Sequence, residues 1–119
     1  MKRVLIVDDE IDLCLLLKQF LIKRNYEVYI AHTLFDGMNI LNTINPDALM
    51  LDNNLPDGMG WNQIEAIQKK YPSMNITLIS AYQLAKDFKR EVGSTINFLE
   101  KPISLKDIEK YILTLTKPL

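Results

Sequence analysis

A chain of 119 residues, 48% of them hydrophobic, has material for one globular core, and folding at this size buries roughly two thirds of the unfolded surface. A formal net charge of -1 gives no reason to expect a polyanion-binding surface, and the single Cys14 excludes a disulfide framework within the chain. Met1-Lys2-Arg3 is followed by only four apolar residues before three acids, too short for a signal peptide, and no apolar run reaches the length of a membrane span. A reducing, cytoplasmic location is the expectation.

The first strand is predicted from Arg3 to Val7 and stops at Asp8 and Asp9. Leu13, Leu16, Leu17, Phe20 and Leu21 then recur at helical spacing, with Asn25 as a left-handed stop. Cys14, inside the run Leu13-Cys14-Leu15-Leu16-Leu17, reads as a buried structural thiol. A second strand spans Glu27 to Ala31, with His32 an incidental residue after it. Thr33-Leu34-Phe35-Asp36 opens a second helix with a capping-box-like start in which Asp replaces Glu. The third strand, Ala48 to Leu51, stops at Asp52. Trp61 is expected to cover apolar surface where a third helix begins, a helix that carries Ile64, Ile67 and Gln68 and ends at Tyr71-Pro72. The fourth strand, Asn75 to Ile79, stops at Ser80. Leu84, Ala85, Phe88 and Val92 outline a fourth helix, and a fifth strand from Ile96 to Leu99 lies just before Lys101. Ser104-Leu105-Lys106-Asp107 opens a fifth helix whose expected buried face is Leu105, Ile108, Ile112 and Leu115.

Strands that are almost wholly apolar imply burial on both faces, and a helix between successive strands implies right-handed parallel crossovers. The expected architecture is a single α/β domain over residues 1–119, a five-stranded parallel doubly wound sheet with five helices. In such a sheet ligands bind at the carboxyl edge, where Asp8, Asp9, Asp52, Ser80 and Lys101 converge. Taken singly, each has a plainer reading: helix N-terminal acids, a turn, a strand-end hydroxyl, a solvated lysine. Their coincidence at one edge is what argues for a site.

The segments Val4-Leu5-Ile6-Val7-Asp8-Asp9-Glu10, Leu51-Asp52-Asn53-Asn54-Leu55-Pro56-Asp57-Gly58-Met59-Gly60, Ser80-Ala81-Tyr82 and Phe98-Leu99-Glu100-Lys101-Pro102, in this order, resemble the receiver domain of bacterial two-component response regulators, CheY-like proteins, end to end. The resemblance implies a flavodoxin-like strand order 2-1-3-4-5, an aspartyl phosphate formed from a histidine kinase or phosphotransfer protein, and dependence on Mg²⁺. It implies a domain that catalyses only its own phosphorylation and dephosphorylation. It also implies a cis peptide before Pro102. The same chemistry follows from the residues: three carboxylates held together repel one another by about 4 kcal/mol per pair at ~4 Å and an effective dielectric near 20, and so need a cation. Mg²⁺ favours oxygen ligands, one or two carboxylates, and a phosphate oxygen. Asp9, Asp52 and the Asn54 backbone carbonyl are expected as direct ligands, with Asp8 acting through water by resemblance. Asp52 is the expected nucleophile, with Lys101 offsetting charge and Ser80 offering a hydroxyl.

Ser80 and Phe98 are the expected switch pair. The expected output face comprises the fourth helix, fifth strand and fifth helix around Phe88, Phe98 and Lys106, where a partner or a second copy would dock. Direct nucleic-acid and membrane binding are not expected of this domain. Two departures from the family pattern stand out: Asn53 replaces an aliphatic residue, and the spacing from Ser80 to Lys101 is one residue short. Rival classes fit less well. A flavodoxin needs a hydroxyl- and glycine-rich phosphate loop where Asp8-Asp9-Glu10 lies, a P-loop NTPase needs a motif that is absent, and a haloacid-dehalogenase-like phosphatase needs an acid where Asn54 stands. The alternative kept open is a receiver-shaped interaction module that works without phosphorylation.

Overall fold

Apolar runs without polar interruption become central strands because both faces of each strand are covered. In a computed structural model, which describes residues 2–81 and 96–116, β1 (Arg3–Val7), β2 (Glu27–Ala31), β3 (Ala48–Asp52), β6 (Asn75–Ser80) and β7 (Asn97–Glu100) form one parallel sheet in the order β2-β1-β3-β6-β7. This is the flavodoxin-like order expected, since the intervening β4 (Asn54–Leu55) and β5 (Gly58–Met59) form a separate antiparallel hairpin. Register places Val7 beside Ala31 on one side and Leu51 on the other. β3 and β6 each run one residue further than expected, so Asp52 and Ser80 belong to the strands, opposite Ile79 and Glu100 respectively. β7 starts and ends one residue later than the expected Ile96 to Leu99.

Alternation along the strands sorts the core into two layers. One contains Val4, Ile6, Met50 and Ile79, packed with α1 (Ile11–Ile22) and the last helix, α4 (Leu105–Thr116). The other contains Leu5, Val7, Leu49, Leu51 and Leu78, packed with α2 (Leu34–Ile44) and α3 (Ile64–Lys70). Cys14 is fully buried in the first layer, as expected. The fourth expected helix and its Phe88 fall within 82–95, outside the described residues.

Helix ends follow the local chemistry. Asn25 takes a left-handed φ of 67°, and Asn45 ends α2 at φ 47°. Ser104 and Asp107 form a reciprocal capping box at α4: the Ser104 Oγ accepts from the Asp107 N–H at 3.2 Å, and the Asp107 Oδ2 accepts from the Ser104 N–H at 2.9 Å. At α2 the box is only half formed, the Thr33 Oγ1 accepting from the Asp36 N–H at 3.1 Å. The other donors of that first turn go elsewhere. The Leu34 and Phe35 N–H groups donate to the carboxylate of Asp57, in the turn of the β4–β5 hairpin, at 2.7 and 2.9 Å. These bonds hold the Asp57 carboxyl below its usual range.

The expectation that Leu105 belongs to the buried face of its helix is wrong: Leu105 is 57% exposed, while Tyr111 is buried beside Ile108, Ile112 and Leu115. The apolar stripe is centred one row further round the helix, and Leu105 sits at its margin in the first turn. The Lys101-Pro102 peptide is cis, as the resemblance implies.

Candidate functional site

Four chain segments meet at the carboxyl edge of the sheet. Asp8, directly after β1, is fixed at both ends: its N–H donates to the Ala31 carbonyl at 3.0 Å and its Oδ1 accepts from the Glu10 N–H at 2.8 Å. Its own carbonyl accepts from the Cys14 thiol at 3.3 Å and lies 2.9 Å from the His32 Nδ1. Since a carbonyl only accepts, that contact is a hydrogen bond when Nδ1 carries the ring proton. His32, to which the sequence assigns no role, thus anchors the strand end. Asp52 closes β3. Lys101 is drawn alongside by its N–H, which donates to the Ser80 carbonyl at 2.8 Å.

The result is a compact cluster. One carboxylate oxygen from each of Asp8, Asp9 and Asp52 lies within 4.8 Å of the others; Asp8 and Asp52 are buried and Asp9 is exposed. The Lys101 ammonium reaches into the same space, 3.1 Å from the Asp8 Oδ2, 3.5 Å from the Asp52 Oδ2 and 3.0 Å from the Glu10 Oε1. Glu10 is a residue that sequence reasoning missed as a partner. Nothing local links it to a lysine 91 positions away.

Burial, and then the Asp8 charge, push the Asp52 carboxyl up to about 6, against the opposing pull of Lys101. Burial also raises Asp8, with the Glu10 N–H and Lys101 pulling the other way. Burial pushes the Cys14 thiol up to about 12, reinforced by the Asp8 charge, so it is no nucleophile at neutral pH. Burial alone would lower Lys101, but its three carboxylate neighbours outweigh that and raise it. The ammonium therefore stays charged and acts as a resident counter-ion.

The donor set fits a hard divalent cation. All the side-chain groups are carboxylates, and the buried Asp8 Oδ2 makes no hydrogen bond although an ammonium lies nearby. The Ser80 Oγ is likewise buried and without a hydrogen-bond partner among the described residues. Asn53, the departure from the family's aliphatic pattern, is accommodated by polar contacts. Its N–H donates to the Ile79 carbonyl at 3.2 Å, its carbonyl accepts from the Gly60 N–H at 3.0 Å, and its Oδ1 accepts from the Trp61 N–H at 3.3 Å. Trp61 is buried as expected, in the 3₁₀ turn Gly60–Gln63, and Phe98 is half-buried with its ring edge-on to the indole.

A flavodoxin-like sheet whose carboxyl edge carries three acids and a lysine has the layout of a site for a cation and an anionic group at the place where such sheets bind ligands. Residues 4–113 match the family described as the response regulator receiver domain, and the chain belongs to that family. The response regulator protein PilR of Pseudomonas aeruginosa is 28% identical over 114 residues, which is 95% of this chain and 26% of PilR. The chain thus spans about a quarter of that relative's length. Among solved structures, the non-phosphorylated HemR receiver domain from Leptospira biflexa is 30% identical with a TM-score of 0.81, covering 100% of this chain and 99% of that one. A CheY-like receiver domain protein from Methanospirillum hungatei is 28% identical with a TM-score of 0.83, covering 97% and 93%. Among the described residues no helix is long and apolar enough to cross a membrane.

Proposed function

We propose that Asp52 accepts a phosphoryl group from the phosphohistidine of a sensor histidine kinase or phosphotransfer protein, in a Mg²⁺-dependent reaction that switches an output face. The observation that carries this reading is the meeting of Asp8, Asp9, Asp52 and Lys101 around one small space. Asp9, Asp52 and the Asn54 carbonyl would hold the ion, with Asp8 acting through water. Bound there, Mg²⁺ supplies charge neutralisation for the acids and for the phosphoryl oxygens. A carboxylate oxygen of Asp52 attacks phosphorus in line. The donor's P–N bond breaks with its electron pair going to the imidazole, which takes up a proton from solvent. Lys101, already among the acids, offsets the charge that the phosphoryl group brings. The Ser80 Oγ, which has no partner among the described residues, donates to a phosphoryl oxygen when the end of β6 moves inward, and Phe98 turns into the space vacated.

The domain catalyses both its own phosphorylation, with the phosphoryl group drawn from the donor, and its own dephosphorylation by water. A partner or a second copy docks on the face formed by β7 and α4 around Phe98 and Lys106, in a cytoplasmic setting. The test is intact-mass measurement with Mg²⁺ and acetyl phosphate. Wild type should gain one phosphoryl group, chelation of Mg²⁺ should prevent it, and Asp52→Asn should show none. Undiminished labelling of Asp52→Asn removes Asp52 from the mechanism, and no labelling of wild type favours a phosphorylation-independent module.

Lys101→Met separates cation competition from switching. Loss of the resident ammonium should tighten Mg²⁺ binding severalfold in a fluorescence titration, while the spectral response to phosphorylation shrinks. A wild-type-sized response in this variant would count against the role given to Lys101.

A further inference from the structure

Asp52 is flanked by two residues that Trp61 holds. The Trp61 Nε1–H donates to the Leu51 carbonyl at 3.3 Å, and its backbone N–H donates to the Asn53 Oδ1 at 3.3 Å. Gly60 completes the clasp. Its N–H donates to the Asn53 carbonyl at 3.0 Å, and it lies so close to β3 that a Cβ built on it would stand 2.2 Å from the Asp52 carbonyl oxygen. On its far side the indole meets Phe98 edge-to-face, with ring centroids 6.0 Å apart and planes at 81°. Trp61 itself is only 5% exposed, so its ring cannot swing away without disturbing the core.

From this geometry we propose that Trp61 is a positioning residue for Asp52, one that holds the Leu51 carbonyl on one side of the acceptor and the Asn53 side chain on the other, and links the state of Asp52 to Phe98 by a path that bypasses Ser80. The proposal rests on the reading of Asp52 as phosphoacceptor. A phosphoryl group on Asp52 pulls its side chain toward new donors, and the peptides of Leu51 and Asn53 respond. The Leu51 peptide is tied to the rigid bicyclic ring itself, and the Asn53 side chain to the backbone N–H of the same residue, so a displacement at Leu51 reaches the Phe98 contact through the ring. Asn53, anomalous as a packing residue, is explained as the side-chain acceptor that closes the clasp.

The experiment compares wild type, Ser80→Ala, Trp61→Leu and Trp61→Phe, each treated with Mg²⁺ and acetyl phosphate. Intact mass gives the phosphorylated fraction, and NMR gives the change in Phe98 ring shift per phosphorylated molecule. Ser80→Ala should keep at least about a third of the wild-type shift, because the second path survives. Trp61→Leu should accept the phosphoryl group severalfold more slowly and lose more than half of the shift. Trp61→Phe keeps an aromatic ring in the core and lacks the indole N–H; it should fold, react more slowly and lose part of the shift, which keeps the test valid if the leucine variant unfolds. A residue with only a structural role would lower Tm and leave the shift per phosphorylated molecule unchanged. A full Phe98 shift in folded Trp61→Leu, or in Trp61→Phe if leucine is not tolerated, overturns the proposal for Trp61 alone. Absence of any phosphoryl group on wild type overturns the phosphoacceptor reading and this proposal with it.

Discussion

Metal-free Asp52→Asn should be more stable than wild type above pH 6, by about 2 kcal/mol, and its advantage should vanish near pH 4. The Asp52 carboxyl stands at about 6 in the folded protein against 3.8 for an unperturbed aspartate. Between those values the folded state holds a proton that the unfolded state has released, so stability falls as pH rises through this window and is flat above it. Asparagine removes the charge that burial and Asp8 oppose, and so removes that loss. The full shift corresponds to roughly 3 kcal/mol, and lost contact with Lys101 reduces the gain toward 2. For a domain of this size that is on the order of 8 °C in Tm. Thermal melts at pH 4, 6 and 8 with a chelator present measure it directly. Mg²⁺ should narrow the difference, because it stabilises the wild type more than the variant. Equal Tm values at pH 8 would mean that Asp52 is not strained by its surroundings.

Gly60→Ala is expected to cost 3 kcal/mol or more, roughly, since the added methyl would meet backbone rather than a yielding side-chain tip. The atom it meets is the carbonyl oxygen of Asp52, at 2.2 Å, with the Leu51 Cδ1 at 3.0 Å. Relief requires separating the 3₁₀ turn from β3, which also breaks the bond from the Gly60 N–H to the Asn53 carbonyl. Urea unfolding should show the loss. Mg²⁺ affinity should fall with it, because Met59, next to Gly60, pairs with Asn54 in the β4–β5 hairpin. Retention of wild-type stability would show that the loop is free to shift.

Much of this was legible in the sequence, for a physical reason. Central strands need unbroken apolar runs, and the residues that end such runs stand at the sheet edge, so Asp8, Asp52, Ser80 and Lys101 point to both the topology and the candidate site. Local capping was equally readable: the Ser104–Asp107 box depends on residues three apart. What escaped is what depends on distance in the chain. Asp57, in the turn of the β4–β5 hairpin, also serves the first turn of α2, 22 positions back from it at Phe35. Glu10 reads as one more acid and partners Lys101. Leu105 has the right spacing for a buried face, and only the packed position of the helix shows that Tyr111 belongs there. Asn53 looked like a packing defect until the Trp61 N–H supplied its partner.

The carboxylate of Asp57 makes the amides of Leu34 and Phe35 hostages to a loop in another part of the chain. Those two hydrogens can exchange with solvent only when the β4–β5 hairpin lets go of α2. Their exchange rates are therefore a clock for opening of the segment that follows Asp52, readable at a helix that touches neither phosphate nor metal. Anything that grips the Asn54 end of the hairpin slows that clock, and anything that loosens it makes the first turn of α2 run fast.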